Sequence, residues 1–300
     1  MTGKSANKSN VFMSAKKDII FKLLFGDERN KDLLIKFLMA VLKLPLDEYS
    51  EIQIKDPQSK RKYKDDKLAI LDIKIKTTTG KVINIEIQVH VTPGMRERIG
   101  FYNARMMTEQ LNSGEDYDLI KKTISIVITG EKFILEHERY HDKFTIYSSE
   151  TNTEFTDVVE IHTLELPKLP KESDGTDLWN WLEFINADSE EELNVIAQKS
   201  PEMKSPVDKL LELNHDSYTR MLYEAKEKQR RDNRAMERRA RMEGVEEGIQ
   251  KGIQKGIQKG IQKGKQEGMY EVAKRLLEMN MPLENIVEAT GLTIKEIKNL

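Results

Sequence analysis

Asp72 and Glu86 are the residues with the clearest chemical potential, one in each arm of a segment patterned as a β-ribbon. In the first arm Leu71, Ile73 and Ile75 alternate with Asp72, Lys74 and Lys76. In the second, Ile83, Ile85, Ile87 and Val89 alternate with Asn84, Glu86, Gln88 and His90. Successive strand side chains point to opposite faces, so each arm has an apolar and a polar face. Thr78-Thr79-Gly80 reads as a three-residue hairpin loop whose glycine supplies left-handed backbone. That loop sets Thr77 against Lys81, and hence Asp72 against Glu86, with β-carbons roughly 4.5–5.5 Å apart. A one-residue slip would mix the two faces, so turn chemistry and pattern select the same register. Carboxylates that close repel unless protonated or bridged by a cation. Their oxygens suit magnesium, which takes one or two protein carboxylates, waters and phosphate oxygens. A cation held there can polarise a phosphodiester, generate hydroxide and steady the leaving oxygen. Gln88 emerges on the same face, where its amide can orient water or phosphate.

The elements that must position these groups are legible in the hydrophobic pattern. Residues 16–43 have helical spacing, through Ile19, Ile20, Leu23 and Leu24 and then Leu34, Phe37, Leu38, Val41 and Leu42. Strand-like runs follow at about 50–55, 68–76, 82–90, 122–129, 143–148 and 157–165. Thr92–Asn112, with Pro93 near its start, is helical in period, as is Thr176–Ala197. Helix, strands, helix, strands is the order of an α/β or α+β fold with a mixed sheet. On helix Thr92–Asn112, Arg98 and Tyr102 lie four apart and share a face suited to phosphate. Lys60, Arg61, Lys62, Lys64 and Lys67 surround Asp65 and Asp66 in a basic loop beside the ribbon, suited to sequence-independent phosphate contact.

Composition narrows the classes. The charged fraction of 33% is high and the apolar fraction of 38% slightly low, a core diluted by a charge-rich extension. A net charge of -2 leaves any DNA affinity to local patches. The absence of cysteine excludes disulfides, thiolate zinc sites and cysteine nucleophiles. Met1–Asn10 is polar, and no stretch approaches the roughly 20 apolar residues that span a bilayer. The expectation is a cytoplasmic protein with no membrane partner.

Four segments carry a family likeness in their order and spacing. They are Lys17-Asp18-Ile19-Ile20-Phe21-Lys22-Leu23-Leu24-Phe25-Gly26, Lys64 through Asp72, Ile85-Glu86-Ile87-Gln88, and Arg98-Ile99-Gly100-Phe101-Tyr102. Together they resemble the recombination-promoting nuclease/transposase family of the PD-(D/E)XK superfamily, over roughly residues 12–230. The resemblance implies a restriction-endonuclease-like mixed central sheet flanked by helices, and a magnesium-dependent DNA endonuclease, with manganese a substitute ion. Asp72 and Glu86 match the metal-binding acids, and the Ile87 carbonyl would be a further ligand. Asp18, on the first helix, would bring an additional acid towards the metal; its alternative is an (i, i+4) ion pair with Lys22. Gln88 stands where the superfamily usually has lysine, although many family members look similar in carrying Glu-x-Gln. A neutral amide cannot supply lysine's charge, so a catalytically idle DNA-binding or self-associating regulator is the alternative function.

A rival motif, His137-Glu138-Arg139-Tyr140-His141, spells the H-E-x-x-H zinc-protease pattern. It is short and lies between strand-like runs, with Glu160 a third ligand only by guesswork. Ordinary surface histidines are the expected reading.

Beyond residue 225 the pattern changes. Lys226–Arg241 holds eight basic against three acidic residues. Glycines then recur at 244, 248, 252, 256, 260, 264 and 268 within Gly-Ile-Gln-Lys repeats. The expected divisions are a nuclease-like domain over 1–225, a charged glycine-repeat helix or linker over 226–268, and a small helical tail over 269–300. Each interior glycine costs a helix about 1 kcal/mol relative to alanine. Yet a glycine stripe lets a second backbone approach closely, so homo-oligomerisation through this extension is expected. Tyr270–Leu300 reads as short helices broken at Pro282 and Gly291, helix-turn-helix-like, with Thr293-x-x-Glu296 as a capping box.

Overall fold

The computed structural model describes residues 11–55 and 73–300, which divide between Lys226 and Glu227 into two compact units. Among the described residues of the first unit, six strands make one mixed sheet in the order β1-β2-β3-β4-β6-β5. They are β1 (Gln53–Lys55), β2 (Ile73–Lys76), β3 (Val82–Gln88), β4 (Thr123–Thr129), β5 (His141–Tyr147) and β6 (Glu154–Glu165). The β3-β4 and β4-β6 pairings are parallel and the others antiparallel. Parallel strands need a crossover connection, and α3 (Met95–Thr108) supplies the one between β3 and β4.

One sheet face carries the main core. Ile73, Ile75, Ile83, Ile85, Ile87, Ile124, Ile126 and Ile128 pack there with α1 (Asp18–Phe25), α2 (Lys31–Leu42), α4 (Asp177–Asn186), α5 (Glu190–Lys199) and α6 (Lys204–His215). Two stretches expected to be continuous helices are each broken in two, for a local reason. At Gly26-Asp27 the Asp27 carboxylate accepts from the Arg29 amide and starts a new turn. At Ser189 the hydroxyl accepts from the Glu192 amide and caps α5 afresh.

The opposite face lies beneath α3. Met95 and Ile99 pack with Val127, Phe133 and Ile134, while Met106 meets Val82 and Tyr102. Two polar anchors fix the helix. The buried Asn103 amide donates to Ser125 Oγ at 3.1 Å and to the Thr123 and Glu160 carbonyls, while its Oδ1 accepts from Thr123 Oγ1 at 3.0 Å. Farther along, Glu109 takes Lys74 Nζ of β2 at 3.0 Å and Arg105 Nε at 3.2 Å.

The glycine repeat lies within α7 (Ser217–Glu278), a helix that continues through the repeat despite the propensity cost. In the second unit its end packs with α8 (Leu283–Thr290) and α9 (Ile294–Lys298) around Ala273, Ile286, Leu292 and Ile297. The Thr293/Glu296 capping box is formed, and Gly291 closes α8 at φ 71°. No helix among the described residues is long and apolar enough to cross a membrane.

Candidate active site

The β2-β3 hairpin has the register that the turn chemistry predicts. Ile73 faces Ile85, Lys74 faces Asn84, Ile75 faces Ile83 and Lys76 faces Val82. Thr77 N–H donates to the Lys81 carbonyl at 2.9 Å, and Gly80 takes the required positive φ of 93°. Asp72 itself lies outside the described residues, as do Asp65, Asp66, Lys60, Arg61, Lys62, Lys64 and Lys67.

Glu86 sits near the carboxyl end of β3, on the face covered by α3, and is buried. Its Oε1 accepts from Gln88 Nε2 at 2.6 Å and from Arg98 Nη2 at 3.0 Å. The first contact follows from strand geometry, since residues two apart share a face. The second follows from the anchoring of α3, which brings its first turns over β3. A close approach also holds the strand end: Gly130 N–H donates to the Gln88 carbonyl at 2.9 Å, and a Cβ at Gly130 would stand 2.6 Å from the Val89 oxygen.

The structure thus gathers Glu86, Gln88 and Arg98. Tyr102, one turn beyond Arg98, packs against Val82 and Met106 and against the Phe101 ring. Asp18 is ion-paired with Lys22 at 2.8 Å in the (i, i+4) arrangement.

Glu86 offers a hard cation a carboxylate oxygen at a buried position that already draws a guanidinium. No group of three or more acidic or histidine side chains among the described residues is placed to hold a metal, and the expected second acid, Asp72, lies outside those residues.

The sheet carries a second polar cluster, of which the H-E-x-x-H reading names His141 and Glu160 but neither His162 nor Lys122. Glu160 and His162 of β6 join His141 of β5: His162 Nε2 lies 2.7 Å from Glu160 Oε1, and its Nδ1 lies 2.8 Å from His141 Nε2. Lys122 completes the row at 3.3 Å from Glu160. The hydrogen bond from His162 lowers the Glu160 carboxyl to about 2, against the upward push of burial. Burial, reinforced by the neighbouring His162, lowers the His141 imidazole to about 4. The cluster borders a cavity of about 750 Å³ that Lys43, Lys143 and Thr176 also line. This corrects the reading of the H-E-x-x-H segment. Residues 137–140 form no helix and His141 opens β5, His137 pairs with Asp142 at 3.0 Å, and His141 is a partly buried partner of His162. Polar residues spaced two apart, Glu160 and His162, ahead of Leu164 on the same strand face, were the available signal. Asn103 had one too, as a polar residue within the Met95, Ile99, Met106 stripe.

A mixed sheet flanked by helices, with an acidic residue at the end of the strand after a hairpin, is consistent with the PD-(D/E)XK class of fold. The model of the PD-(D/E)XK nuclease family transposases matches residues 15–240, and the chain belongs to that family. No curated protein and no solved structure matches the chain.

Proposed function

We propose that this protein is a magnesium-dependent DNA endonuclease that hydrolyses phosphodiester bonds in the cytoplasm, in the service of DNA recombination or mobile elements. The observation that supports this most directly is the buried Glu86, set by the Ile73↔Ile85 register and already drawing two donors to one oxygen. Asp72, Glu86 and the Ile87 carbonyl would hold Mg2+, or Mn2+ in its place. When bound, such a cation would lower the pKa of water and neutralise charge on the phosphate. The remaining roles fall to the chain's own groups. Gln88 orients water or phosphate through an uncharged amide. Arg98 supplies a guanidinium for a phosphate oxygen, with Tyr102 beside it, and Lys60, Arg61, Lys62, Lys64 and Lys67 give sequence-independent backbone contacts. Asp18 would join the acids only by exchanging its Lys22 partner. The extension would assemble copies of the chain through its exposed isoleucine and glycine stripes.

Plasmid incubated with purified protein and Mg2+, beside Asp72→Ala and Glu86→Ala, tests the reading. Cutting by the parent alone is the expected result; equal cutting by all three would attribute the activity to a contaminant. A second reading, a DNA-binding or self-associating regulator with an idle nuclease fold, is favoured by the neutral Gln88 amide at the position of the usual lysine. DNA binding without cutting by the parent would select it.

A further inference from the structure

We propose that Arg98 is an exchangeable occupant of the metal-binding carboxylate: it neutralises Glu86 before a divalent cation arrives, and then passes to a phosphodiester oxygen of the DNA. This rests on the assignment of Glu86 as a metal ligand and adds a positioning role for a residue of α3.

Four features point to exchange rather than a permanent ion pair. The contact is single-pronged: Nη2 donates to Oε1 at 3.0 Å, while the buried Nε has no acceptor among the described residues. Arginine binds carboxylate most strongly through two parallel N–H groups, so this geometry leaves part of the fork unused. Gln88 Nε2 crowds the same oxygen at 2.6 Å, so Oε1 does not depend on Arg98 alone. The two partners also differ in access, with side-chain exposure of 33% for Arg98 and 7% for Glu86. The guanidinium can therefore reach solvent and an incoming phosphate while the carboxylate stays in place. Finally, α3 is held on the sheet by Asn103 and Glu109, so release of Arg98 does not detach the helix. Phosphate offers oxygens that would complete the fork and satisfy Nε, which Glu86 leaves unpaired.

The test is calorimetric titration of Ca2+ into DNA-free full-length protein, comparing the parent with Arg98→Met, Arg98→Lys and Glu86→Gln. Methionine keeps much of the stem without the charge, and lysine keeps the charge without the fork. Removing the competing cation should tighten Ca2+ binding in Arg98→Met by about fivefold, with Arg98→Lys near the parent. Added Ca2+ should also raise the melting temperature of Arg98→Met more than that of the parent. With Ca2+ present, Arg98→Met should bind a short DNA duplex more weakly, with a shallower salt dependence by about one phosphate contact. Unchanged or weaker Ca2+ binding by Arg98→Met would overturn the exchange, provided that the parent binds and Glu86→Gln does not. Failure of the parent to bind Ca2+, or equal binding by Glu86→Gln, would overturn the metal assignment itself and the exchange with it.

Discussion

Asn103→Ala offers the sharpest test of how the fold serves the site, because one buried side chain joins α3 to two strands. One contact is well formed, to Ser125 Oγ at 3.1 Å, and that from Thr123 Oγ1 at 3.0 Å shares the single hydroxyl proton with the Val158 carbonyl. Those to the Thr123 and Glu160 carbonyls, at 3.4 and 3.3 Å, are long. Each good bond contributes about 1 kcal/mol net, and the vacated volume adds a similar amount. Thr123 Oγ1 keeps the Val158 carbonyl at 3.0 Å, so it is not orphaned, which limits the loss. The sum is about 2–3 kcal/mol, or roughly 5–10 °C in melting temperature for a unit of this size. Urea unfolding followed by circular dichroism should show a lower midpoint at an unchanged slope. Asn103→Asp should be worse than alanine, since it sets a carboxylate against two carbonyl oxygens. A loss below about 0.5 kcal/mol, or an aspartate variant no worse than alanine, would refute the claim that this amide anchors the helix.

Other consequences are as concrete. Lys168 and Glu165 form an ion pair with fully buried side chains at 3.0 Å, and Glu165 also accepts from the Phe133 amide at 2.7 Å. Lys168→Met should therefore cost about 3–5 kcal/mol by stranding the carboxylate, with partial recovery on adding Glu165→Gln, as read by denaturant unfolding. Acid should weaken the fold in two stages. His141 holds its folded value near 4 against an ordinary 6.5, so the unfolded chain takes up a proton first and stability falls from pH 6.5 towards 4. Glu160, near 2 against 4.5, contributes stability above 4.5 that is lost as pH falls towards 2. Each stage has a ceiling of about 3 kcal/mol, reduced by solvent screening because neither group is fully buried, and His141→Asn should flatten only the upper one in melts recorded against pH. In the extension, Gly252→Ala, Gly256→Ala and Gly260→Ala meet no atom within 4 Å of the added carbon. Each should gain the single helix about 1 kcal/mol. The three together should nonetheless weaken self-association in sedimentation experiments, and an unchanged oligomeric state would remove the glycine stripe as the contact.

The sequence determined the local features of this protein, and the tertiary structure decided who meets whom. Alternation of isoleucine with polar residues, and a glycine at the third loop position, sufficed for the hairpin register, because a strand has a period of two and the turn admits one phase. The breaks at Pro282 and Gly291 and the Thr293/Glu296 cap were legible for the same reason: each is settled within a few residues. What covers the polar face of β3 was not. Nothing local says that α3 returns across the sheet, that Asn103 is its anchor, or that Arg98 reaches Glu86 twelve residues back. His141 and His162 likewise read as unrelated until antiparallel β5 and β6 bring them together. Those partnerships depend on strand order and crossover, which are fixed by burial of the whole core.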